Sequence, residues 1–80
     1  MWYFYILFCD KKTFYYGITN NLEKRLLAHK DKQSFFTKKF SDIELVYSEK
    51  YNNKSEAARR EKQIKGWNKE KKIKLIKGEL

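Results

Sequence analysis

Five side chains spread along this chain could together carry out one reaction. They are two tyrosines in short aromatic segments, an arginine and a histidine four residues apart, and a glutamate within a later apolar pattern: Tyr5, Tyr15, Arg25, His29 and Glu61. Phenols and an imidazole can move protons, a guanidinium can grip phosphate oxygens, and a carboxylate can bind a divalent metal ion. These are the groups needed to cut a phosphodiester with one divalent metal ion.

The chain carries a large surplus of positive charge. Its 80 residues include 19 Lys and Arg against 10 Asp and Glu, a formal net charge of +9. Because such a surplus opposes compaction by self-repulsion, it favours a polyanionic partner, with nucleic acid first and an anionic membrane surface second. Drift of exposed positions towards lysine could explain part of the surplus, but it would usually add glutamate as well.

Length and composition predict one small domain over residues 1–80. A chain of this size buries only about 60% of its unfolded surface, and an aromatic content of 18% compensates for the thin core. The lone Cys9 forms no internal disulfide, and no Cys/His cluster has zinc spacing. The apolar residues 2–9 are too few to span a bilayer and lack the features of a signal peptide, so we expect no membrane partner and a cytoplasmic location.

The pattern of apolar residues predicts three strands. Residues 2–9 are apolar on both alternating faces, which indicates a strand covered on both sides and therefore central in its sheet. The polar residues 10–12 separate it from a second strand over 13–18, which predicts a β-hairpin whose loop length is left open. A third strand is predicted over 43–48, with an extension to Tyr51 left open.

Asparagines mark the starts of three predicted helices. Asn20 with Glu23 forms a variant of the capping box, Asn53 with Glu56 forms a second, and Asn68 can cap a final short helix. The predicted order is therefore β-β-α-β-α-α, an α+β fold with a small three-stranded antiparallel sheet flanked by helices. Between the first helix and the third strand, the phenylalanines of residues 32–41 need burial and predict an ordered loop or a helical turn.

The predicted elements bring some of the five side chains together. A loop over 10–12 places Gly17 opposite Tyr5, and Tyr15 then lies on the face of Tyr5 as a diagonal neighbour, about 7–8 Å away. Glycine opposite Tyr5 leaves space for a backbone or a ligand to approach. Taken alone, however, these tyrosines are most simply ordinary strand aromatics, since the chain has six tyrosines.

The helical candidates also have simpler interpretations. Arg25 and His29 are at positions i and i+4, so they share one helix face, as they would on any solvated basic edge. Glu61 follows Ala57 by four residues, which places it on the inward face of its helix, where a carboxylate needs a cation. The cation could be Arg25, a lysine or a metal ion, and a partly buried salt bridge is as consistent with the spacing as metal ligation.

The order and spacing of four motifs resemble the GIY-YIG nuclease superfamily. They are residues 3–5, residues 15–19, residues 21–26 with His29, and residues 55–65. The likeness runs from Trp2 to about Ile76 and is greatest to small stand-alone bacterial members related to the catalytic domain of the excision-repair nuclease C subunit. Tyr3 stands where the family has glycine in the first motif, and Tyr16 stands where it has isoleucine in the second.

The resemblance implies roles for the five side chains. Glu61 would be the only protein ligand of one Mg²⁺ or Mn²⁺ ion. Tyr5 or Tyr15 would deprotonate the attacking water, with Tyr5 favoured as the base and Tyr15 as the group that positions water or phosphate. A neighbouring cation is needed to lower the phenol pKa from about 10. Arg25 would stabilise charge on the phosphorus, and His29 would hydrogen-bond a phosphate oxygen or assist proton transfer.

The resemblance also implies a metal-dependent endonuclease that cuts DNA with low sequence specificity or with structure specificity. Six residues are predicted to contact nucleic acid: Gly17, Thr19, Lys62, Lys65, Lys69 and Lys72. A partner protein could supply specificity. The alternatives are a non-catalytic nucleic-acid-binding module and a repair-complex adaptor on the same fold.

Overall fold

The computed structural model describes residues 1–31 and 39–80. Six elements follow one another along the chain: β1 (Trp2–Cys9), β2 (Thr13–Thr19), α1 (Leu22–Lys30), β3 (Ile43–Tyr51), α2 (Lys54–Lys65) and α3 (Lys69–Ile76). This confirms the predicted α+β class and the order β-β-α-β-α-α. Among the described helices, none has the length and apolar content needed to cross a bilayer.

The sheet is antiparallel with strand order β2-β1-β3, so β1 is central as its apolar sequence predicted. The hairpin turns at residues 10–12, and its register pairs Tyr5 with Gly17 and Leu7 with Tyr15, also as predicted. β3 extends to Tyr51. Its pairing with β1 shifts by one residue, because Ile6 pairs with Tyr47 and Leu7 with Leu45, which makes Val46 the extra residue of a β-bulge.

Helices cover both faces of the sheet. On one face, Phe4 and Ile6 of β1 pack with Ile64 of α2 and Leu75 of α3. On the other face lie Tyr5, Leu7, Cys9 and Ile43, with Leu22 and Leu26 of α1 packed against them. The alternation of side chains along β1 therefore sends successive residues into two different apolar clusters. Phe40 packs against the second cluster, whereas Phe35 and Phe36 lie outside the described residues.

The start of α1 differs from its prediction by one residue. The cap is Asn21 and not Asn20, since the Asn21 side chain accepts a hydrogen bond from the Lys24 N–H at 3.0 Å. The Thr19 hydroxyl accepts from the Asn21 N–H at 3.1 Å, and this turn delays the helix by one position. Asn53 and Asn68 cap α2 and α3 as predicted, each accepting from a backbone N–H three residues later.

Asp10 connects the hairpin turn to the start of β3. Its carboxylate oxygen Oδ1 accepts hydrogen bonds from the N–H groups of Ser41 at 3.0 Å and Asp42 at 2.8 Å. Its own N–H donates to the carbonyl of Asp42 at 2.7 Å. Asp10 and Lys11 have φ angles of 51° and 56°, a left-handed conformation that aspartate tolerates better than most residues. The Asp10 side chain therefore holds the hairpin turn against the segment that leads into β3.

We predict that Asp10→Ala lowers the free energy of unfolding by about 1–3 kcal/mol, because two backbone N–H groups lose a charged acceptor and alanine disfavours the left-handed conformation. Urea denaturation measures this change. Asp10→Asn is the matched control, since it keeps an oxygen at the same position and the same tolerance of positive φ. Unchanged stability in Asp10→Ala would show that the Asp10 acceptor is unimportant.

Candidate active site

A cleft of about 400 Å³ opens at the β2 edge of the sheet. Four of the five predicted catalytic side chains line it, namely Tyr5, Tyr15, Arg25 and Glu61. Gly17 and Lys65, two of the predicted nucleic-acid contacts, line it as well, together with Phe14, Tyr16 and Ile18. The fifth predicted catalytic residue, His29, lies behind the cleft wall and is completely buried.

The catalytic candidates approach the cleft from both faces of the sheet. Tyr5, Tyr15 and Arg25 belong to the face covered by α1, whereas Glu61 belongs to α2 on the opposite face. Among the described residues no strand lies beyond β2, so the two groups meet around this edge. Both Arg25 and Glu61 are close enough to affect the pKa of the Tyr5 and Tyr15 hydroxyls.

Gly17 is the residue that allows the Tyr5 hydroxyl to reach the cleft. A Cβ atom at position 17 would lie 2.5 Å from Tyr5 Oη and 2.7 Å from Tyr5 Cζ, far inside contact distance. The sequence correctly predicted space opposite Tyr5. That space is filled, however, by the ring of Tyr5 itself and not by a ligand or another backbone segment.

The Tyr5 hydroxyl connects the cleft to His29. Tyr5 Oη lies 3.1 Å from His29 Nε2 in a buried hydrogen bond whose direction depends on the histidine tautomer. The Tyr15 ring also contacts His29, with ring centroids 5.0 Å apart. Because His29 has no exposed surface, it cannot hydrogen-bond a phosphate oxygen, which was one of its two predicted roles. Proton transfer through Tyr5 is the role that the geometry allows.

The sequence analysis required a neighbouring cation to lower the phenol pKa, and the electrostatics of the two phenols do not meet that condition. Burial raises the pKa of Tyr5 above its ordinary value of 10, the nearby Tyr15 raises it further, and the opposing charge of Arg25 is too weak to reverse this. Burial likewise raises the pKa of Tyr15, although the positive charge of Arg25 acts to lower it. Arg25 does favour a lower pKa for both phenols, but desolvation of the phenolate outweighs the attraction of the guanidinium.

His29 is the opposite case. Burial lowers its pKa below the usual 6.5, and the positive charge of Arg25 lowers it further. The imidazole is therefore neutral at pH 7. A neutral imidazole can accept a proton, and its Nε2 atom lies next to the Tyr5 hydroxyl, which is the group that has one to give.

Glu61 faces the cleft with Lys65 as its close partner among the described residues. Its side chain is 22% exposed, and its carboxylate lies 3.8 Å from the Lys65 ammonium, one helical turn away, with no hydrogen bond from the described residues. A pair of this kind contributes little to stability, which weakens the interpretation of Glu61 as a purely structural salt bridge. The described residues contain no group of three or more His, Cys, Asp or Glu that could enclose a metal ion. A single carboxylate facing a cleft suits Mg²⁺ or Mn²⁺, since Mg²⁺ keeps most of its waters.

The other predicted nucleic-acid contacts occupy varied positions. The Lys72 ammonium lies 4.9 Å from the centroid of the Tyr16 ring, which places it at the border of the cleft. Lys62 and Lys69 are exposed but do not line the cleft. Thr19 is only 4% exposed, and its hydroxyl is engaged with the backbone of Asn21. The Thr19 hydroxyl therefore shapes the start of α1, and its contact with nucleic acid stays a prediction.

An ion-pair network beside the site was missed by the sequence analysis. Arg60 donates from Nε and Nη2 to the two carboxylate oxygens of Glu49, at 2.9 and 3.0 Å, and the hydroxyls of Tyr47 and Tyr51 donate to the same carboxylate. Burial by itself raises the pKa of Glu49, but these hydrogen bonds, Arg60 first, outweigh burial and lower it. The sequence did contain a clue: Tyr47, Glu49 and Tyr51 alternate along β3 and therefore lie on the same face of the sheet. A carboxylate that faces the core between two tyrosines needs a positively charged or hydrogen-bonding partner.

Comparison with known proteins agrees with this geometry. A family model described as the GIY-YIG catalytic domain matches residues 1–74. The chain belongs to the GIY-YIG family. The resemblance inferred from the four motifs is thereby confirmed, and membership implies a nuclease-like function with a nucleic-acid substrate.

The chain is similar to several bacterial proteins of comparable length. It is 40% identical over 75 residues to a UPF0213 protein of Staphylococcus saprophyticus, covering 92% of both chains. A UPF0213 protein of Clostridium perfringens is 43% identical over 92% of this chain and 81% of its own. The solution NMR structure of a UPF0213 protein from Bacillus halodurans superposes with a TM-score of 0.62 at 29% identity, covering 96% of this chain and 84% of that one. The names of these relatives state no activity.

We predict that Gly17→Ala destabilises the protein by about 1–3 kcal/mol, because the added methyl group must displace the Tyr5 ring. Urea denaturation measures the loss, and the imidazole resonances of His29 report whether its contact with Tyr5 persists. Gly66→Ala is the control, since Gly66 has φ −80° and its Cβ would meet its nearest neighbour at 3.4 Å. Gly66→Ala should be neutral or stabilising by up to about 1 kcal/mol. Unchanged stability in Gly17→Ala would contradict the close fit.

We predict that the stability of the protein falls as the pH drops below about 6.5, since the unfolded chain takes up the histidine proton before the folded chain does. The contribution of His29 is complete above the unfolded pKa of 6.5 and is lost as the pH falls towards the lower folded value, by at most about 1.4 kcal/mol per pH unit. His29 is the only histidine of the chain, so its titration is readily followed by NMR. A folded-state midpoint at or above 6.5 would exclude this effect.

Proposed function

We propose that this protein is an endonuclease that hydrolyses phosphodiester bonds of DNA with one Mg²⁺ or Mn²⁺ ion at Glu61. The observation that carries the proposal is the convergence of Tyr5, Tyr15, Arg25 and Glu61 on one cleft from opposite faces of the sheet. Ordinary strand aromatics, a solvated basic helix edge and an isolated salt bridge would not need to meet at one place. The membership of the chain in a nuclease family supports the same conclusion.

In this proposal Tyr5 passes a proton from water to His29. The raised pKa of Tyr5 makes its phenolate too scarce at neutral pH for Tyr5 to act alone as a base. The Tyr5 hydroxyl can instead give its own proton to neutral His29 across 3.1 Å while it accepts one from the attacking water. This transfer requires the tautomer of His29 in which Nε2 is unprotonated.

Arg25 and Tyr15 act on the phosphate. Arg25 is exposed on the cleft wall and lies within electrostatic range of both tyrosine hydroxyls. Its rigid guanidinium can donate to two phosphate oxygens and stabilise the charge that develops on them. Tyr15 is half-buried beside Tyr5, with ring centroids 6.3 Å apart, and its hydroxyl would orient the water or a phosphate oxygen.

Glu61 would hold the metal ion at the other side of the cleft. When bound, the ion supplies Lewis-acid stabilisation of the phosphate and of the departing 3′ oxygen. Lys65 pairs with the Glu61 carboxylate at 3.8 Å. When a metal ion binds Glu61, the Lys65 ammonium would instead contact the phosphate backbone.

Binding would be mainly electrostatic and of low sequence specificity. Lys65 and Lys72 border the cleft, and the exposed Lys62 and Lys69 continue the positive surface along α2 and α3. Phosphate contacts of this kind give dissociation constants of roughly 10⁻⁴–10⁻⁶ M that weaken steeply with salt. DNA as the substrate, a partner protein that adds specificity and action in the cytoplasm remain predictions from the sequence.

We predict that Glu61→Gln abolishes metal-dependent nicking of supercoiled DNA while DNA binding in chelator at low salt is preserved. The amide keeps the size of the side chain but loses the charge that a divalent cation requires. Glu70→Gln is the matched control, because Glu70 also faces a lysine one turn away, at 3.7 Å from Lys74, but lies on α3 outside the cleft. Equal nicking by Glu61→Gln and the wild type would refute the assignment. Binding without nicking by the wild type would favour the non-catalytic alternative.

A further inference from the structure

The most extensive side-chain network among the described residues lies on the flank of α2 opposite the cleft. Arg60 and Glu49 form a two-pronged ion pair at 2.9 and 3.0 Å, with side-chain exposures of 23% and 17%. Arg60 also donates from Nη1 to Gln63 at 3.1 Å, and its guanidinium lies 5.3 Å from the centroid of the Trp67 ring. Each of the three guanidinium nitrogens thus donates to a partner on β3 or α2.

The geometry of α2 relates this network to Glu61. Ala57 and Ile64 are fully buried and define the line along which the helix contacts the sheet. Arg60 and Glu61 are adjacent in sequence and therefore about 100° apart around the helix axis, on opposite sides of that line. Arg60 points towards β3, the strand at one edge, while Glu61 lines the cleft beside β2, the strand at the other edge.

Apolar contact alone leaves the rotation of α2 about its own axis weakly defined. Ala57 offers a single methyl group, and burial of apolar surface has no preferred direction. A bidentate arginine–carboxylate pair, by contrast, is satisfied only in one planar arrangement. The Glu49 carboxylate is itself fixed by the hydroxyls of Tyr47 and Tyr51, so it offers Arg60 a rigid partner.

We propose that Arg60 is a positioning residue, which, by docking on Glu49, sets the rotation of α2 and thereby holds the Glu61 carboxylate in the cleft. This inference rests on the proposed function, in which Glu61 binds the metal ion. Arg60 does not itself touch substrate or metal. It acts from the side of α2 opposite Glu61, by setting the rotation of the helix.

The test uses Mn²⁺ alone as a probe, with no nucleic acid present. In ¹⁵N-labelled wild type, Mn²⁺ should broaden the amide resonances of Gly17, Arg25 and Glu61, since all three residues line the cleft. We predict that Arg60→Gln needs about 10–100-fold more Mn²⁺ for the same broadening, as is typical when the support of a metal ligand is removed. Nicking of supercoiled DNA should require a matching increase in Mn²⁺.

Three controls separate positioning from a general loss of stability. Arg59→Gln changes the neighbouring exposed arginine and should leave the Mn²⁺ dependence unchanged. Ile64→Val removes one core methyl group and should lower the melting temperature without altering the Mn²⁺ dependence. Glu49→Gln breaks the ion pair from the other side and should reproduce the Arg60→Gln effect; it decides the question if Arg60→Gln fails to fold.

The outcomes distinguish the two proposals. Wild-type broadening in folded Arg60→Gln and Glu49→Gln would overturn the positioning role and leave the metal site intact. An Mn²⁺ shift in Ile64→Val as large as that in Arg60→Gln would also overturn it, since any destabilisation would then suffice. Broadening of the cleft that persists in Glu61→Gln would overturn the metal site and, with it, the role of Arg60.

Discussion

The close fit between Tyr5 and Gly17 is the contact on which the site depends. The ring of Tyr5 occupies the space that a side chain at position 17 would take, so its hydroxyl reaches both the cleft and His29. This fit exists because β1 and β2 pair in one register, and a slip of one residue would place Tyr5 on the other face of the sheet. The hairpin turn at residues 10–12, held by the Asp10 side chain, therefore specifies the geometry of the candidate site as well as the fold.

Burial determines the chemistry that this arrangement can perform. It raises the pKa of Tyr5 and lowers the pKa of His29, so both groups are neutral at physiological pH. Transfer of a proton from water through Tyr5 to His29 leaves the charge on the buried imidazole and keeps Tyr5 neutral, whereas a preformed phenolate would be strongly disfavoured there by desolvation. The nearby Arg25 disfavours a second positive charge on His29 and attracts negative charge in the cleft.

The two faces of the sheet divide the work between them. In the proposed mechanism, the α1 face supplies the groups that move protons and bind phosphate, and the α2 face supplies the carboxylate that would hold a metal ion. Because the two groups meet at the β2 edge, the site forms only when both α1 and α2 are correctly docked on the sheet. For α2, the apolar contacts of Ala57 and Ile64 attach the helix to the sheet, and the polar network around Arg60 defines its orientation.

The sequence was sufficient for features that depend on local pattern. The apolar residues on both faces of β1 identified the central strand, and a loop over the polar residues 10–12 gave the register that pairs Tyr5 with Gly17. Asn53 and Asn68 marked two helix starts correctly, whereas the first start was misplaced by one residue because two asparagines are adjacent and only the turn at Thr19 selects between them. The motif spacing was enough to identify the family.

Only the tertiary structure decided what surrounds each group. Complete burial of His29, the raised pKa values of the tyrosines and the enclosure of Thr19 depend on how α1 packs on the sheet, and no local pattern encodes that packing. The pairing of Arg60 with Glu49 links residues eleven positions apart in the chain on separate elements. Spacing along a chain determines which residues can share a face; desolvation and charge pairing are set by neighbours that are distant in sequence, and they appear only when the elements are assembled.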